Sequence, residues 1–305
     1  MIGLGRMGAS MARRLLADGH RVVGYDCERA RVAALVRQGG VGAKTIEAVV
    51  STLHPPRAVW LMLPANDPTE QAIEKLAGRL ARGDVLVDGG NSFYKDSVRR
   101  AERLASAGIA LVDVGTSGGI RGLERGYCLM VGGEVSAVRR LRPLFKSLAL
   151  AGGSRHIGPS GAGHFVKMVH NGIEYGMLQA YAEGLSLLRG GPYRVDLERI
   201  AHLWNQGGVI RSWLLELAER VLARDPELRS IAGYVEDSGE GRWTVQEAVA
   251  FGIPLPVISA ALCSRFRSRA TDPFGDKVVA ALRREFGGHA VKSTTPSTHA
   301  RSARQ

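Results

Sequence analysis

The chain has 305 residues, 45% of them hydrophobic and 23% charged, the balance of a soluble globular protein with room for two domains that each bury a core. No apolar run approaches the ~20 residues of a membrane helix, the N-terminus has no signal-peptide pattern, and Cys27, Cys128 and Cys263 are isolated and not at metal-ligand spacing. The formal net charge of +12 asks for an anionic partner, but the arginines are spread along helical faces rather than gathered in a block, so a small anionic substrate fits better than nucleic acid. The expectation is a cytoplasmic protein with no metal, no membrane and no nucleic-acid partner.

The chain opens on "GLGRMG", which gives Gly3-x-Gly5-x-x-Gly8 with Arg6 and Met7 inside the turn. A helix pattern follows to about Ala17, and then the strand-like "RVVGYD" ends in Asp26, 18 positions after Gly8. The glycines permit a tight turn, close approach of backbone to a pyrophosphate, and close packing of helix on strand; the helix N-terminus adds N–H donors and its dipole. The strand–helix–strand context turns a weak triplet into a dinucleotide site. A carboxylate at Asp26 accepts hydrogen bonds from a ribose 2′-OH and repels a 2′-phosphate, so NAD is expected ahead of NADP. Arg29 and Arg31 could answer a phosphate, or could simply be a solvated helix start. Only Met1 and Ile2 precede the first glycine, against ~5–6 residues for an ordinary strand. The first strand is therefore stunted, or the true start lies upstream.

Further along, "AVWLML" (58–63), "DVLVDG" (84–89), "IALVDV" (109–114) and "YCLMVGG" (127–133) are short apolar or β-branched runs. Amphipathic stretches at 28–38, 68–80, 94–106 and 135–149 lie between them. That alternation predicts a mostly parallel, doubly wound α/β sheet over residues 1–160, a Rossmann arrangement. After "SRHIGPSGAG" (154–163) strand patterns disappear, and long helical patterns cover 164–190, 195–223 and 244–269. An all-α domain over 161–291 is expected, then a polar, aperiodic tail at 292–305, expected to be disordered.

"GHFVKMVHNGIEYG" (163–176) starts the first long helix. Lys167, His170, Asn171, Glu174 and Tyr175 fall at i, i+3, i+4, i+7 and i+8 and so share one stripe. A second stripe, Phe165, Met168, Val169, Ile173, Met177 and Ala180, is apolar and expected to be buried. The polar stripe holds a possible base, a possible acid and three hydrogen-bonding groups. A lysine and a glutamate seven apart can equally be a solvated face, and His170 a satisfied core histidine. "TSGG" (116–119), after "LVDV", sits at a carboxyl end of the sheet, where ligands bind in such folds.

Over about residues 1–291 these motifs, with "DGGNS" (88–92), "GEGRWT" (239–244) and "FGGHAVK" (286–292), resemble 6-phosphogluconate dehydrogenase, the decarboxylating enzyme, in its short bacterial form. "KMVHNGIEY" is the most specific part of the match. The resemblance implies that Lys167 is the general base for hydride transfer and Glu174 the acid that completes decarboxylation. It places Asn91, Ser117, Gly118, Gly119, His170 and Asn171 along the sugar acid beside the nicotinamide. Tyr175, Thr244 and Arg267 would hold the phosphate, with Arg242 where longer members carry lysine; the planar fork of arginine would shift that contact. Arg283 and His289 resemble a pair that reaches into a neighbouring subunit's site, which implies at least a homodimer.

The chemistry is coherent on its own terms. Oxidising a secondary alcohol needs a base, and a lysine is one only when burial or nearby cations lower its pKa. A 3-keto acid then loses CO2 if its ketone oxygen is polarised, and the enediol left behind needs a proton. The expected reaction is oxidation and decarboxylation of 6-phospho-D-gluconate to D-ribulose 5-phosphate with NAD or NADP. The nearest rival is a dehydrogenase of a small unphosphorylated β-hydroxyacid, which has no use for Glu174 or a phosphate clamp. A non-catalytic NAD(H)-binding module would leave Lys167 and Glu174 without a role.

Overall fold

In the computed structural model, residues 1–292 are described; the expected tail, apart from Lys292, lies outside them. The glycine turn leads into helix α1 (Arg6–Ala17), followed by β1 (Val23–Gly24), α2 (Arg29–Arg37), β2 (Val41–Gly42), α3 (Ile46–Thr52), β3 (Ala58–Leu61) and α4 (Asp67–Ala77). Next come β4 (Val85–Asp88), α5 (Tyr94–Ala105), β5 (Ala110–Ser117), a 3-10 turn at Gly119–Arg121, α6 (Gly122–Arg125), β6 (Tyr127–Gly132), α7 (Val135–Leu148) and β7 (Ala149–Gly158). From there the chain is helical: α8 (Ala162–Gly190), α9 (Leu197–Asn205), α10 (Trp213–Arg224), α11 (Glu240–Phe251), α12 (Pro256–Ser268) and α13 (Phe274–Gly287).

The main sheet has the order β3-β4-β5-β6-β7, parallel except where β5 meets β6. Beside it β1 and β2 pair in parallel, and Ile2 bridges Tyr25 on one side and Leu61 on the other, so the first strand is reduced to one residue that joins the two sheets. Val85, Leu86 and Val87 are fully buried, as the unbroken apolar run requires of a strand covered on both faces. Each such side chain contributes roughly 1.5–3 kcal/mol.

Three departures from the sequence reading have local causes. β7 follows no apolar run: its "AGGS" centre lacks β-branched residues and Gly152 takes φ 75°, yet the chain pairs with β6 on both sides of it as an edge strand. The pattern at 195–223 is two helices, because Gly207 takes φ 106° and Ser212 caps α10 through the Leu215 N–H. The pattern at 244–269 also breaks, at Gly252 in the left-handed conformation, with Pro256 at the start of α12.

Candidate active site

The dinucleotide turn fits its expected group. Gly3 takes φ +91°, and a Cβ there would lie 2.3 Å from Met62 O; one on Gly8 would lie 2.0 Å from Gly3 O. A Cβ on Gly5 would meet nothing closer than Arg31 Nη1 at 4.0 Å, so Gly5 faces open space. No side chain caps α1 and no acidic residue stands in its first turn, which leaves the N–H groups of Arg6, Met7 and Gly8 for an anion.

Asp26 is buried beside that turn. Its Oδ2 accepts the Leu4 N–H at 2.7 Å and its Oδ1 the Glu28 N–H at 2.8 Å, with Arg31 Nη1 at 3.5 Å. Burial pushes the Asp26 carboxyl up, but those N–H groups, the Cys27 thiol and Arg31 outweigh it and hold the group below the usual carboxylate range. Arg31 also pairs with Glu28 at 2.7 Å, while Arg29, Arg37 and Lys44 line a cleft against Asp26.

Helix α8 is seated on the sheet by Asp113, a fully buried carboxylate of β5 whose oxygens accept the Gly161 N–H at 2.6 Å and the His164 N–H at 2.8 Å. The contact is close: a Cβ on Gly163 would lie 2.4 Å from Met130 O, and one on Gly115 only 2.3 Å from Lys167 Cβ. Lys167 therefore sits directly over β5. It is 5% exposed, and burial pulls its ammonium below the ordinary lysine range against the opposing pull of Glu174, Glu240 and Cys128.

Lys167, His170, Asn171 and Glu174 line one cleft of about 880 Å³ with Asn91, Ser117, Gly118, Gly119 and Met7. Lys167 Nζ donates to Asn171 Oδ1 at 2.6 Å, and His170 Nδ1 lies 3.0 Å from the same oxygen. Because that oxygen can only accept, a hydrogen bond there requires the His170 proton on Nδ1, and the other ring nitrogen, Nε2, lies 3.2 Å from the Ser117 hydroxyl. Glu174 Oε2 is 4.0 Å from His170 Nδ1. Asn91, at φ 55°, uses its Oδ1 to accept the Thr116 N–H at 3.3 Å. Phe165, Val169, Ile173 and Met177 also face this cleft, so the stripe expected to be buried is half open; Ile173 is 52% exposed.

The expected phosphate group is not gathered here. Tyr175 turns away from the cleft, because its ring packs on Gly241, where a Cβ would lie 2.3 Å from it, and under the Arg265 guanidinium at 3.3 Å. Thr244 is buried with its hydroxyl 2.8 Å from Met168 O and from Glu240 O, so it ties α11 to α8. Arg242 pairs with Asp237 and Arg267 with Asp276 at 2.8 Å. Arg283 and His289 belong to the exposed C-terminal helix and its exit, outside this cleft. Sequence reasoning missed Arg265, whose only signal was the alternation of three arginines at the end of α12, and Ser212 and Trp213, which close the cleft from the start of α10.

Among the described residues no helix is long and apolar enough to cross a membrane, and no cluster of three His, Cys, Asp or Glu could hold a metal.

Comparison with known proteins agrees with this layout. Residues 1–158 match the NAD binding domain of 6-phosphogluconate dehydrogenase, and residues 163–297 match its C-terminal domain. The YqeC protein of Bacillus subtilis is 44% identical over 292 residues, 96% of this chain and 98% of its own. The NAD(+)-dependent, decarboxylating 6-phosphogluconate dehydrogenase of Haloferax volcanii is 45% identical over 293 residues, 95% of this chain and 97% of its own. The solved 6-phosphogluconate dehydrogenase of Plasmodium falciparum superposes with a TM-score of 0.81 at 28% identity; 97% of this chain covers 66% of that longer one. The chain belongs to the 6-phosphogluconate dehydrogenase family of oxidoreductases.

Proposed function

We propose that this protein oxidises and decarboxylates 6-phospho-D-gluconate to D-ribulose 5-phosphate and CO2, with NAD preferred over NADP. The observation that carries the reading is the presence of a buried, pKa-lowered Lys167 and of Glu174 in one cleft, next to Asn91 and the "TSGG" turn. NAD, held by the Gly3–Gly8 turn and Asp26, would supply the hydride acceptor.

Neutral Lys167 takes the C3 hydroxyl proton as hydride leaves C3. The ammonium so formed donates to the new ketone oxygen, which draws electrons from the C1–C2 bond as CO2 departs. A protonated Glu174 gives its proton to C2, the carbon that lost CO2 and becomes C1 of the product, while the enediol hydroxyl on the former C3 returns its proton to Lys167 and the ketone of ribulose 5-phosphate forms. His170 and Ser117, coupled to Lys167 through Asn171, keep the base aligned on the sugar hydroxyls. Asp26 favours NAD because a carboxylate held ionised repels a 2′-phosphate.

The phosphate would lie toward Tyr175, Arg242, Arg265 and Arg267, with Arg283 and His289 of a second copy. α13 supports that partner: it has no buried residue, and Phe274, Val279, Leu282 and Phe286 are 79, 58, 58 and 78% exposed. Binding would require Arg242 and Arg267 to exchange Asp237 and Asp276 for the phosphate. Initial rates on 6-phospho-D-gluconate against gluconate test the substrate class. Strong preference for the phosphorylated acid is expected; equal rates would favour the small-hydroxyacid dehydrogenase.

A further inference from the structure

We propose that Arg100 is a positioning residue for the oxidation: through Asp88 it holds the residues on both sides of Asn91, Gly90 by its N–H and Ser92 by its hydroxyl, and so aims the Asn91 amide into the cleft. The inference rests on the role given to Asn91 above.

Asp88 ends β4 and is fully buried. Its Oδ1 accepts the Gly90 N–H at 3.1 Å, and its Oδ2 accepts the Ser92 hydroxyl at 2.8 Å. One carboxylate therefore holds the residue before Asn91 and the residue after it. Between them Asn91 takes φ 55°, a left-handed conformation that asparagine adopts more readily than other side-chain-bearing residues and that these contacts hold in place. With Oδ1 occupied by the Thr116 N–H, the Asn91 amide NH2 is left to donate into the cleft.

Arg100 is what pins the carboxylate. Its Nη1 donates to Asp88 Oδ2 and to Ser92 Oγ, both at 3.1 Å, and its Nε donates to Glu70 Oε2 at 2.8 Å. It is fully buried, and its Nη2 has no partner. A buried arginine with an unsatisfied nitrogen is a poor stabilising device, because apolar residues of similar volume often replace buried ion pairs with no loss of stability. A geometric role accounts for its presence. Glu70 is itself held in place by Arg99 and Arg103, so the guanidinium is fixed from α4 as well as from the sheet. On the far side of the loop, Tyr94 and Lys95 both bond Glu247 of α11 at 2.6 Å, which ties the same segment to the helical part of the chain.

The test is a double-mutant cycle on the full-length protein, Arg100→Met against Asn91→Ala, with kcat, KM, the dissociation constant of NADH and Tm read for each variant. Arg100→Met is expected to lower kcat by about 10–100-fold, the scale of a small misplacement of a reacting group. NADH binding is expected to stay within about threefold, because the glycine turn and Asp26 are untouched. In the Asn91→Ala background the same change is expected to cost nothing further, and Arg100→Lys is expected to recover part of the loss. Equal losses in both backgrounds, or losses that follow Tm, would overturn the proposal. If Arg100→Met does not fold, Ser92→Ala replaces it in the cycle, and additivity with Asn91→Ala overturns the proposal equally. The wild-type rate in the same experiment judges the substrate assignment separately: without CO2 from 6-phosphogluconate that assignment fails, and the cycle runs on whichever hydroxy acid reduces the cofactor.

Discussion

Lys167 Nζ donates to Asn171 Oδ1 at 2.6 Å, one helical turn along α8, and the same oxygen stands 3.0 Å from His170 Nδ1. A neutral amide in that place fixes the lysine with a much weaker pull toward its charged form than a carboxylate would exert. Asn171→Asp would put a carboxylate there instead and stabilise the ammonium. The base must be neutral to act, so the alkaline-rising limb of kcat/KM is expected to move to higher pH by about 1–3 units. A limb that stays in place would show that Lys167 is not the group being titrated.

Burial that lowers the Lys167 pKa also has a stability consequence. Between the lowered folded value and the ordinary unfolded one, the unfolded chain binds more protons, so stability rises with pH across that window and is reduced below it. Lys167→Met removes the charge that is costly to bury. At neutral pH its Tm is expected to be unchanged or higher, by roughly 2–4 °C for each kcal/mol relieved, while kcat falls by about 10²–10⁴. Thermal unfolding at pH 7 checks this, and a clear drop in Tm would contradict it.

Glu174→Gln keeps the shape but loses the proton for the enediol. Ribulose 5-phosphate formation is expected to slow by about 10²–10⁴. Product assay by a coupled isomerase reads it, and unaltered turnover would remove Glu174 as the acid.

Asp26→Asn is expected to narrow the gap in kcat/KM between NAD and NADP, the gain falling to NADP because the repelling charge is gone while Arg29, Arg37 and Lys44 remain against the site. An unchanged ratio would remove Asp26 from cofactor choice.

Gly115→Ala would set a methyl group 2.3 Å from Lys167 Cβ. Displacing α8 from β5 is expected to cost about 1–3 kcal/mol of stability as well as activity. A denaturant titration reads the loss, and an unaffected midpoint would mean that α8 can shift freely.

Much of this was readable in the sequence where a single periodicity decides. The buried runs around Val59, Val87 and Val112 are strands, and the i, i+3, i+4, i+7 spacing brought Lys167, His170, Asn171 and Glu174 into one cleft. Tyr175 stands at the rim of that stripe, about 80° round the helix from Lys167, and its ring leaves the cleft wall for the space that Gly241 leaves open. The contacts of Thr244 were not legible for a different reason: a hydroxyl beside a binding motif can meet a ligand or a backbone carbonyl, and the packing of α11 on Gly172 is what brings it to Met168 O. Arg100 carried no local signal, since its partners Glu70, Asp88 and Ser92 come from separate elements.

The measurement that tests the account most directly is the simultaneous time course of reduced cofactor and CO2 from 6-phospho-D-gluconate, first with NAD and then with NADP. Equal amounts of NADH and CO2, formed faster with NAD, are the predicted result of a lysine and a glutamate acting in turn in one cleft. Cofactor reduction without CO2 would contradict it and assign the cleft to a plain hydroxyacid dehydrogenase.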